Sequence, residues 1–460
     1  MTLTGLPDDT IVAIATAPGR GGVGIVRLSG PQSDAITALL TRGASLKPRY
    51  ATRVTVHDAD GGLLDDGMAL RFPGPHSFTG EDVVELHCHG GPVLLDLVVQ
   101  AACQAGARIA LPGEFSRRAF LNDKIDLTQA EAIADLINSS TAAAARNASR
   151  SLTGVFSSRI DALVDAVVRL RVYVEAAMDF PEEEVDFLAE GEVGARLEDL
   201  LARLDTVTTA ARQGSRIREG MKLVIAGAPN AGKSSLLNAL AGRDTAIVTE
   251  VAGTTRDVLR ENIDIDGLPL HIVDTAGLRD SADAVEKEGI RRALAEINEA
   301  DRVLLVVDDS HLPDTVDRAA LWPPGIVPRP DGTDLTLIRN KCDLSGRPPG
   351  IITADAGAEV TLCARSGLGV DTLRQHLRDV AGLDASAVET PFSARRRHLE
   401  SLASARSYLV SAIEQLRSAG AGELVAEDLR YCQDQLGDIT GRVTSDQLLG
   451  EIFSSFCIGK

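Results

Sequence analysis

Apolar and polar positions change period several times along the chain. In the first stretch, Thr10–Ala15 and Gly24–Leu28 read as short strands around a Gly-rich turn, Pro18-Gly19-Arg20-Gly21-Gly22, and Val83–His87 reads as another. A helix is predicted from Pro92 to Ala105, with Gly106 as its stop. From about residue 123 the spacing becomes 3 and 4. Ala130, Ile133, Ala134 and Ile137 keep it behind Thr128 and Glu131, which read as a capping box. Ile160, Leu163, Val164 and Val167 repeat it in a segment that Phe180-Pro181 ends, and residues 190–213 read as a charged amphipathic helix.

Near Gly220 short apolar runs return. Leu223–Ala226 reads as a strand, and Ile263–Ile265 with Leu270–Val273 flank the hairpin signal Asp266-Gly267. Val303–Val307 and Leu335–Ile338 have the mainly apolar texture of buried parallel strands, with helical stretches between. That pattern predicts a doubly wound α/β domain. After Pro391 helix returns, with Leu402, Ala405, Leu409, Ala412 and Leu416 on one seam widened by Leu399 and Ile413. Val425, Leu429, Cys432 and Leu436 repeat that spacing. The predicted fold is multidomain, α/β plus α. An N-terminal α/β domain covers 1–122. A discontinuous helical domain covers 123–218 and 382–460. A doubly wound α/β domain, 219–381, is inserted between its halves.

Composition narrows the function. In 460 residues, 44% are hydrophobic and 25% charged, which supports real cores and excludes wholesale disorder. The net charge of −19 excludes generic, charge-driven nucleic-acid binding, so contact with RNA would be local or carried by a basic partner. Six cysteines form no CxxC pair, as expected of reduced thiols in a cytoplasmic protein. The first nine residues lack the basic region of a signal peptide. No run of 18 apolar residues suggests a membrane span.

Gly227-Ala-Pro-Asn-Ala-Gly232-Lys233-Ser234 follows an apolar strand and opens a helix from Ser235 to Leu240. That is the context of a P-loop: glycines let backbone N–H groups cradle phosphate oxygens, the lysine reaches the β/γ-phosphates, and the serine offers a hydroxyl to Mg2+. Asp274-Thr275-Ala276-Gly277 has the form of a DxxG switch. Asn340-Lys341-Cys342-Asp343 places a carboxylate where it can accept two N–H bonds from a guanine edge, which adenine cannot supply. Thr361-Leu-Cys-Ala364 would offer the Ala364 N–H to the base carbonyl. The set resembles the translation-factor-like GTPases. Leu278 occupies the position where Ras-like enzymes hold a water-orienting Gln, so another group must orient the water or hydrolysis is slow.

Gly253-Thr-Thr-Arg-Asp257, Asp274-Thr-Ala-Gly-Leu-Arg279 and the terminal Phe456-Cys-Ile-Gly-Lys460 together resemble the MnmE (TrmE) family of tRNA modification GTPases. Pro18–Gly24, Ser77–Asp82 and Phe120–Asp126 fit the same family, and the likeness runs essentially end to end. It implies a folate-binding, dimerising N-terminal domain and a GTPase activated by G-domain dimerisation with K+. It also implies an FAD partner, MnmG, with which an aminomethyl-type group such as carboxymethylaminomethyl is added to C5 of wobble uridine in certain tRNAs, the tRNA being held mainly by the partner. By motif, Asn230, the carbonyls of Thr249 and Val251, and Thr254 would hold K+. Thr255 would join Ser234 on Mg2+, and Glu286 would orient the attacking water. The GTP set is completed by Ala231, Ser235, Thr275 and Ala276. Cys363 departs from the family's usual Ser, at little expected cost because the contact is the Ala364 N–H.

Glu85, His87 and His89 share one face of a strand and Cys88 the other, which cannot close a tetrahedral metal site. The resemblance implies instead that Glu85 binds the pterin of 5-formyltetrahydrofolate or a related one-carbon donor, with Arg27, Lys124 and Lys460 around it. Cys457 is a functional-thiol candidate whose role as nucleophile, redox group or packing residue stays open. A CaaX anchor is rejected because the chain ends in Lys460. An alternative function is a regulatory G-protein switch in ribosome assembly, which folate binding would discriminate.

Overall fold

The computed structural model describes residues 9–179, 192–242, 260–274, 300–313, 317, 321–322, 334–354, 357–383, 392–419, 421–442 and 446–459. They form two compact units. One comprises Met1–Ala134, Leu152–Leu201 and Ser404–Lys460, the other Asp135–Ser151 and Ala202–Ala403.

The first unit contains a six-stranded sheet: β1 (Ile11–Ile14), β2 (Gly21–Ser29), β3 (Thr52–His57), β4 (Leu63–Phe72), β5 (Val83–Gly90) and β6 (Arg108–Ile109), in the order β3-β4-β5-β2-β1-β6. Neighbours are antiparallel except β1 and β6. Such a sheet can bury one face and leave the other polar, and the alternation along β5 follows that rule. Leu86 and Cys88 enter a core with Val26, Leu28, Val54, Val56 and Ala69, which the helices Ser33–Leu40 and Pro92–Gln104 cover through Ile36, Leu40, Leu95 and Val98. Glu85 and His87 therefore stand on the opposite face. There Ile11 and Ala13 of β1 pack on Phe115 of the helix Glu114–Leu121.

The helices Val155–Asp179 and Gly422–Thr440 pack against each other in this unit. Most of the expected seam is buried: Val425, Leu429, Cys432 and Leu436 are at most 1% exposed, as are Leu402, Ala405, Leu409 and Ala412, while Leu399 and Leu416 are half-buried. One local expectation is corrected. The helix Leu127–Asn138 is capped two residues earlier than Thr128 and Glu131 suggest. Asp126 accepts the Gln129 N–H (2.9 Å) and Gln129 Oε1 accepts the Asp126 N–H (2.9 Å), which is the reciprocal arrangement of a capping box. Thr128 lies inside the first turn, where its hydroxyl bonds Asp126 and Ser157. Both pairs satisfy the same spacing, and the chain uses the one whose carboxylate is the stronger acceptor.

The second unit holds a seven-stranded sheet. Its strands are β7 (Met221–Ala226), β8 (Arg260–Ile265), β9 (Leu268–Asp274), β10 (Arg302–Asp308), β11 (Asp334–Asn340), β12 (Gly350–Ala354) and β13 (Gly357–Thr361), in the order β12-β13-β11-β10-β7-β9-β8. The five central strands are parallel and each edge strand is antiparallel. Their residues alternate between two cores, one around Leu223, Ile225, Leu304 and Ile338, the other around Val224, Leu305 and Leu337. That is the doubly wound arrangement the apolar runs predict. The β8–β9 hairpin turns at Asp266 (φ 49°) and Gly267 (φ 93°), as its sequence signal requires. The Asp135–Ser151 segment joins this unit: Ala144 enters the first core, and Asp135 takes ion pairs from Arg218 (2.8 Å) and Arg395 (2.7 Å).

Candidate functional site

Parallel α/β sheets bind ligands at the carboxyl ends of their strands, where the connecting loops gather. Here β7 ends at Ala226 and the helix Lys233–Ala241 begins after six loop residues, Gly227–Gly232. The loop needs left-handed backbone at Asn230 (φ 64°) and Gly232 (φ 96°). At Gly232 a Cβ would lie 2.2 Å from Asn340 Nδ2, so only glycine fits.

Asn340, at the end of β11, is 3% exposed and joins three motifs through one amide. Its Nδ2–H donates to the Ala231 carbonyl (2.8 Å), and its Oδ1 accepts the Ala364 N–H (2.9 Å). The P-loop, the Asn340–Asp343 turn and the loop after β13 are thus held in one register. The Ala364 N–H, expected to meet the base carbonyl, is engaged by Asn340 here, so a guanine oxygen would compete with that acceptor.

Lys233 Nζ donates to the carbonyls of Gly227 (2.9 Å) and Ala228 (3.0 Å), which keeps the ammonium over the loop. Lys341 takes a left-handed backbone (φ 68°) and its Nζ meets Asp308 Oδ2 at 2.6 Å. The Lys341 bond, with further bonds from Ser310, lowers the Asp308 carboxyl to about 2, so this carboxylate is ionised throughout the neutral range. Ser234, Ser235 and Asp343 are exposed, while Cys342 and Cys363 are buried. Asp274 closes β9. Thr249, Val251, Thr254, Thr255, Thr275, Ala276, Gly277, Leu278, Glu286 and Lys460 lie outside the described residues.

On the polar face of the other sheet, Arg27 and Glu85 are direct cross-strand neighbours. Arg27 Nε and Nη2 each lie 2.9 Å from Glu85 Oε1, and His87 Nε2 is 3.3 Å from Oε2. Both partners are largely shielded, with side-chain exposures of 22% and 16%. The guanidinium stands 5.7 Å from the ring centroids of Phe78 and of Phe115. The structure brings Arg27 and Glu85 together as one charge-balanced, aromatic-flanked group. Lys124 is held at the Pro75 carbonyl (2.8 Å), on the segment that also carries Phe78. Cys457 is exposed, and its carbonyl accepts the Gly113 N–H (3.3 Å) just before the Phe115 helix. Of His87-Cys88-His89, His89 pairs with Asp65 (2.8 Å) and Cys88 is buried, its thiol pushed up to about 12 by burial. The two histidines thus serve different carboxylates.

Residues 127–457 match the family model for the MnmE helical domain, and residues 10–124 match that for the N-terminus of the GTP-binding protein TrmE. The chain is 60% identical over 454 residues to the tRNA modification GTPase MnmE of Pseudomonas entomophila strain L48, covering 98% of this chain and 99% of that protein. The namesake from Stutzerimonas stutzeri strain A1501 is 59% identical over 453 residues, with the same coverage. The one from Pseudomonas syringae pv. tomato is 60% identical over 457 residues, covering 99% of this chain and 100% of that protein. The chain belongs to the MnmE (TrmE) family of tRNA modification GTPases. As a family member it is a multidomain GTP-hydrolysing enzyme, with an N-terminal TrmE domain, a helical domain and a P-loop GTPase fold.

Sequence reasoning missed several residues beside those that motifs single out. Asp308 was invisible as a partner of Lys341, although a charged residue at the carboxyl end of a buried parallel strand is a usable signal. Phe115 flanks Arg27 without any mark in the linear sequence, and Phe78 does so from within the Ser77–Asp82 stretch, which marks the family but not this contact.

Proposed function

We propose that this chain is a K+-dependent, Mg2+-requiring GTPase of the cytoplasm that works as a homodimer with the FAD protein MnmG. Together they add an aminomethyl-type group, such as carboxymethylaminomethyl, to C5 of wobble uridine in certain tRNAs, drawing one carbon from a tetrahydrofolate. On this reading residues 1–122 bind folate and dimerise, 219–381 form the G domain, and 123–218 with 382–460 form the helical domain. Among the described residues no helix is long and apolar enough to cross a membrane.

The observation that carries the reading is Asn340, which ties the P-loop at Ala231 to a guanine-type turn and to the Ala364 loop, in a chain whose relatives are named tRNA modification GTPases. Lys233 would neutralise β/γ-phosphate oxygens, and Asp343 would select guanine. Ser234 has an exposed hydroxyl in the first turn of its helix, which fits an Mg2+ ligand shared with Thr255. Asn230 lies in the same loop and, with Thr249, Val251 and Thr254, would hold K+. The two cations would offset charge developing between the phosphates. Glu286 would orient water where Leu278 cannot. At the other site, Arg27, Glu85, Lys124 and Lys460 would bind the folate, with Cys457 at its edge. Arg27 would exchange its Glu85 partner for the folate, or Glu85 would bridge both.

GTP turnover is expected to rise in K+ over Na+ and with protein concentration, and tRNA from a deletion strain should lack the wobble-uridine substituent. Equal rates in both salts would remove the K+ site, and normal tRNA nucleosides would remove the modification role. Glu85→Gln is expected to weaken 5-formyltetrahydrofolate binding at least about tenfold in calorimetry, because it removes a charged acceptor beside Arg27. If the wild-type protein gives no heat with that folate, the ribosome-assembly switch becomes the better reading.

A further inference from the structure

The turn that carries Asp343 is fastened by two consecutive carboxylates. β10 ends at Asp308, which holds Lys341. The next residue, Asp309, has a side chain with 0% exposure and accepts three donors: Arg339 Nη1 at 2.8 Å, Ser345 Oγ at 2.6 Å and Arg347 Nε at 3.1 Å. Arg339 is itself fully buried and also donates to Glu359 Oε1 (2.5 Å) and the Pro313 carbonyl (3.0 Å). Burial works to raise the Asp309 carboxyl, and the bonds from Ser345, Arg339 and Arg347 outweigh it, so the group stays ionised.

The spacing of these anchors is informative. Asp343 lies two residues after Lys341 and two before Ser345. Its own helix, Cys342–Ser345, is a single turn, too short to hold itself. Its backbone is therefore fixed on the upstream side by Asp308 and on the downstream side by Asp309. A buried ion cluster is costly to desolvate, and a well-packed apolar group often serves stability as well. What the cluster adds is a defined geometry for the turn.

We propose that Asp309 is a positioning residue for base selection: through Ser345, Arg347 and Arg339 it locks the 341–347 turn so that the Asp343 carboxylate meets both N–H donors of guanine at once. The proposal rests on the reading of Asp343 as the guanine contact. Two-point contact demands a fixed carboxylate plane. A turn that rocks keeps one bond at a time, and selectivity falls while phosphate binding persists.

The test compares equilibrium binding of GDP, IDP and XDP by the full chain. IDP lacks the exocyclic amine and so reports the second bond to Asp343. Asp309→Asn is expected to cut the GDP-over-IDP preference at least about fivefold while changing IDP affinity less than about twofold. An unchanged preference, or a parallel loss for GDP and IDP, would overturn the proposal. If Asp309→Asn does not fold, Ser345→Ala removes one donor from an exposed position, and it should lower the same ratio by a smaller factor; an unchanged ratio there is equally adverse. Asp343→Asn separates this from the underlying reading, since it should shift preference from GDP toward XDP. If that shift occurs and the Asp309 and Ser345 variants keep the wild-type ratio, the positioning role alone is lost. If the shift is absent, Asp343 is not the base contact and both fall.

Discussion

Replacing Lys233 by alanine is expected to lower GTP turnover by about a thousandfold or more, with GDP and GTP affinity falling by about a hundredfold, because a positive charge on transferring phosphate is worth this much where water is excluded. The fold should survive. The Lys233 side chain is half-buried, and its Nζ bonds two loop carbonyls, Gly227 and Ala228, at 2.9 and 3.0 Å. The Ala228 carbonyl is exposed, so water can replace the ammonium there, and only the buried Gly227 carbonyl loses a donor, so the thermal midpoint should move by only a few degrees. The P-loop shape depends on Gly232 and on the Asn340 bond to Ala231, neither of which the substitution touches. Steady-state GTPase assays and thermal melts of the same preparation check both halves. Turnover within tenfold of wild type would mean that another cation carries the phosphate charge.

How far the sequence alone leads depends on whether the partners are near in the chain. The P-loop is legible because its chemistry lies within Gly227–Ser234, between an apolar strand and a helix, and both elements appear as expected. The polar face of β5 is legible because Glu85 and His87 alternate with Leu86 and Cys88. β3 and β4 are not, because Leu63-Leu64-Asp65-Asp66-Gly67 interrupts any clean alternation and the pairing is fixed by β5. The capping of Leu127–Asn138 is half legible: the motif is right and the register is two residues off, since Asp126–Gln129 and Thr128–Glu131 offer the same spacing. The Arg27–Glu85 pair spans 58 residues and could be reached only through family likeness. Buried charges are the hardest class. Nothing in the sequence singles out Arg118 and Arg339, both 0% exposed; only the tertiary structure supplies Asp9, Glu81 and Glu114 for one and Asp309 and Glu359 for the other.

At the far end of the chain, Gly459→Ala is expected to separate the two activities. Gly459 has φ 96°, and a Cβ there would fall 2.1 Å from the Ile14 carbonyl oxygen and 3.2 Å from the Ala15 Cα. Those obstacles are backbone of β1 and its exit, which a side-chain rotation cannot clear, and the left-handed conformation adds its own cost, about 1–3 kcal/mol in all. Removing that strain requires only that the last residues lift. The helix Asp446–Ser454 keeps its own anchors, with Leu449, Ile452 and Phe453 buried against Leu127 and Ala130. Global stability should therefore change little, while the segment around Cys457 leaves its place beside Gly113. In β1, Ile14 is paired with Val26 and Ala13 with Arg27, so the displaced tail is the one that ends one register step from the Arg27–Glu85 pair. Wobble-uridine modification in a complemented deletion strain should fall at least about tenfold, the yield expected if an ordered tail is needed to place reacting groups. GTP turnover of the purified variant should stay within about twofold, since the described residues proposed to bind the nucleotide, Lys233, Ser234 and Asp343, belong to the other unit. Full modification by this variant would show that the tail can act without its seat on β1, and a matching loss of GTP turnover would show that the two sites are energetically coupled through the C-terminus.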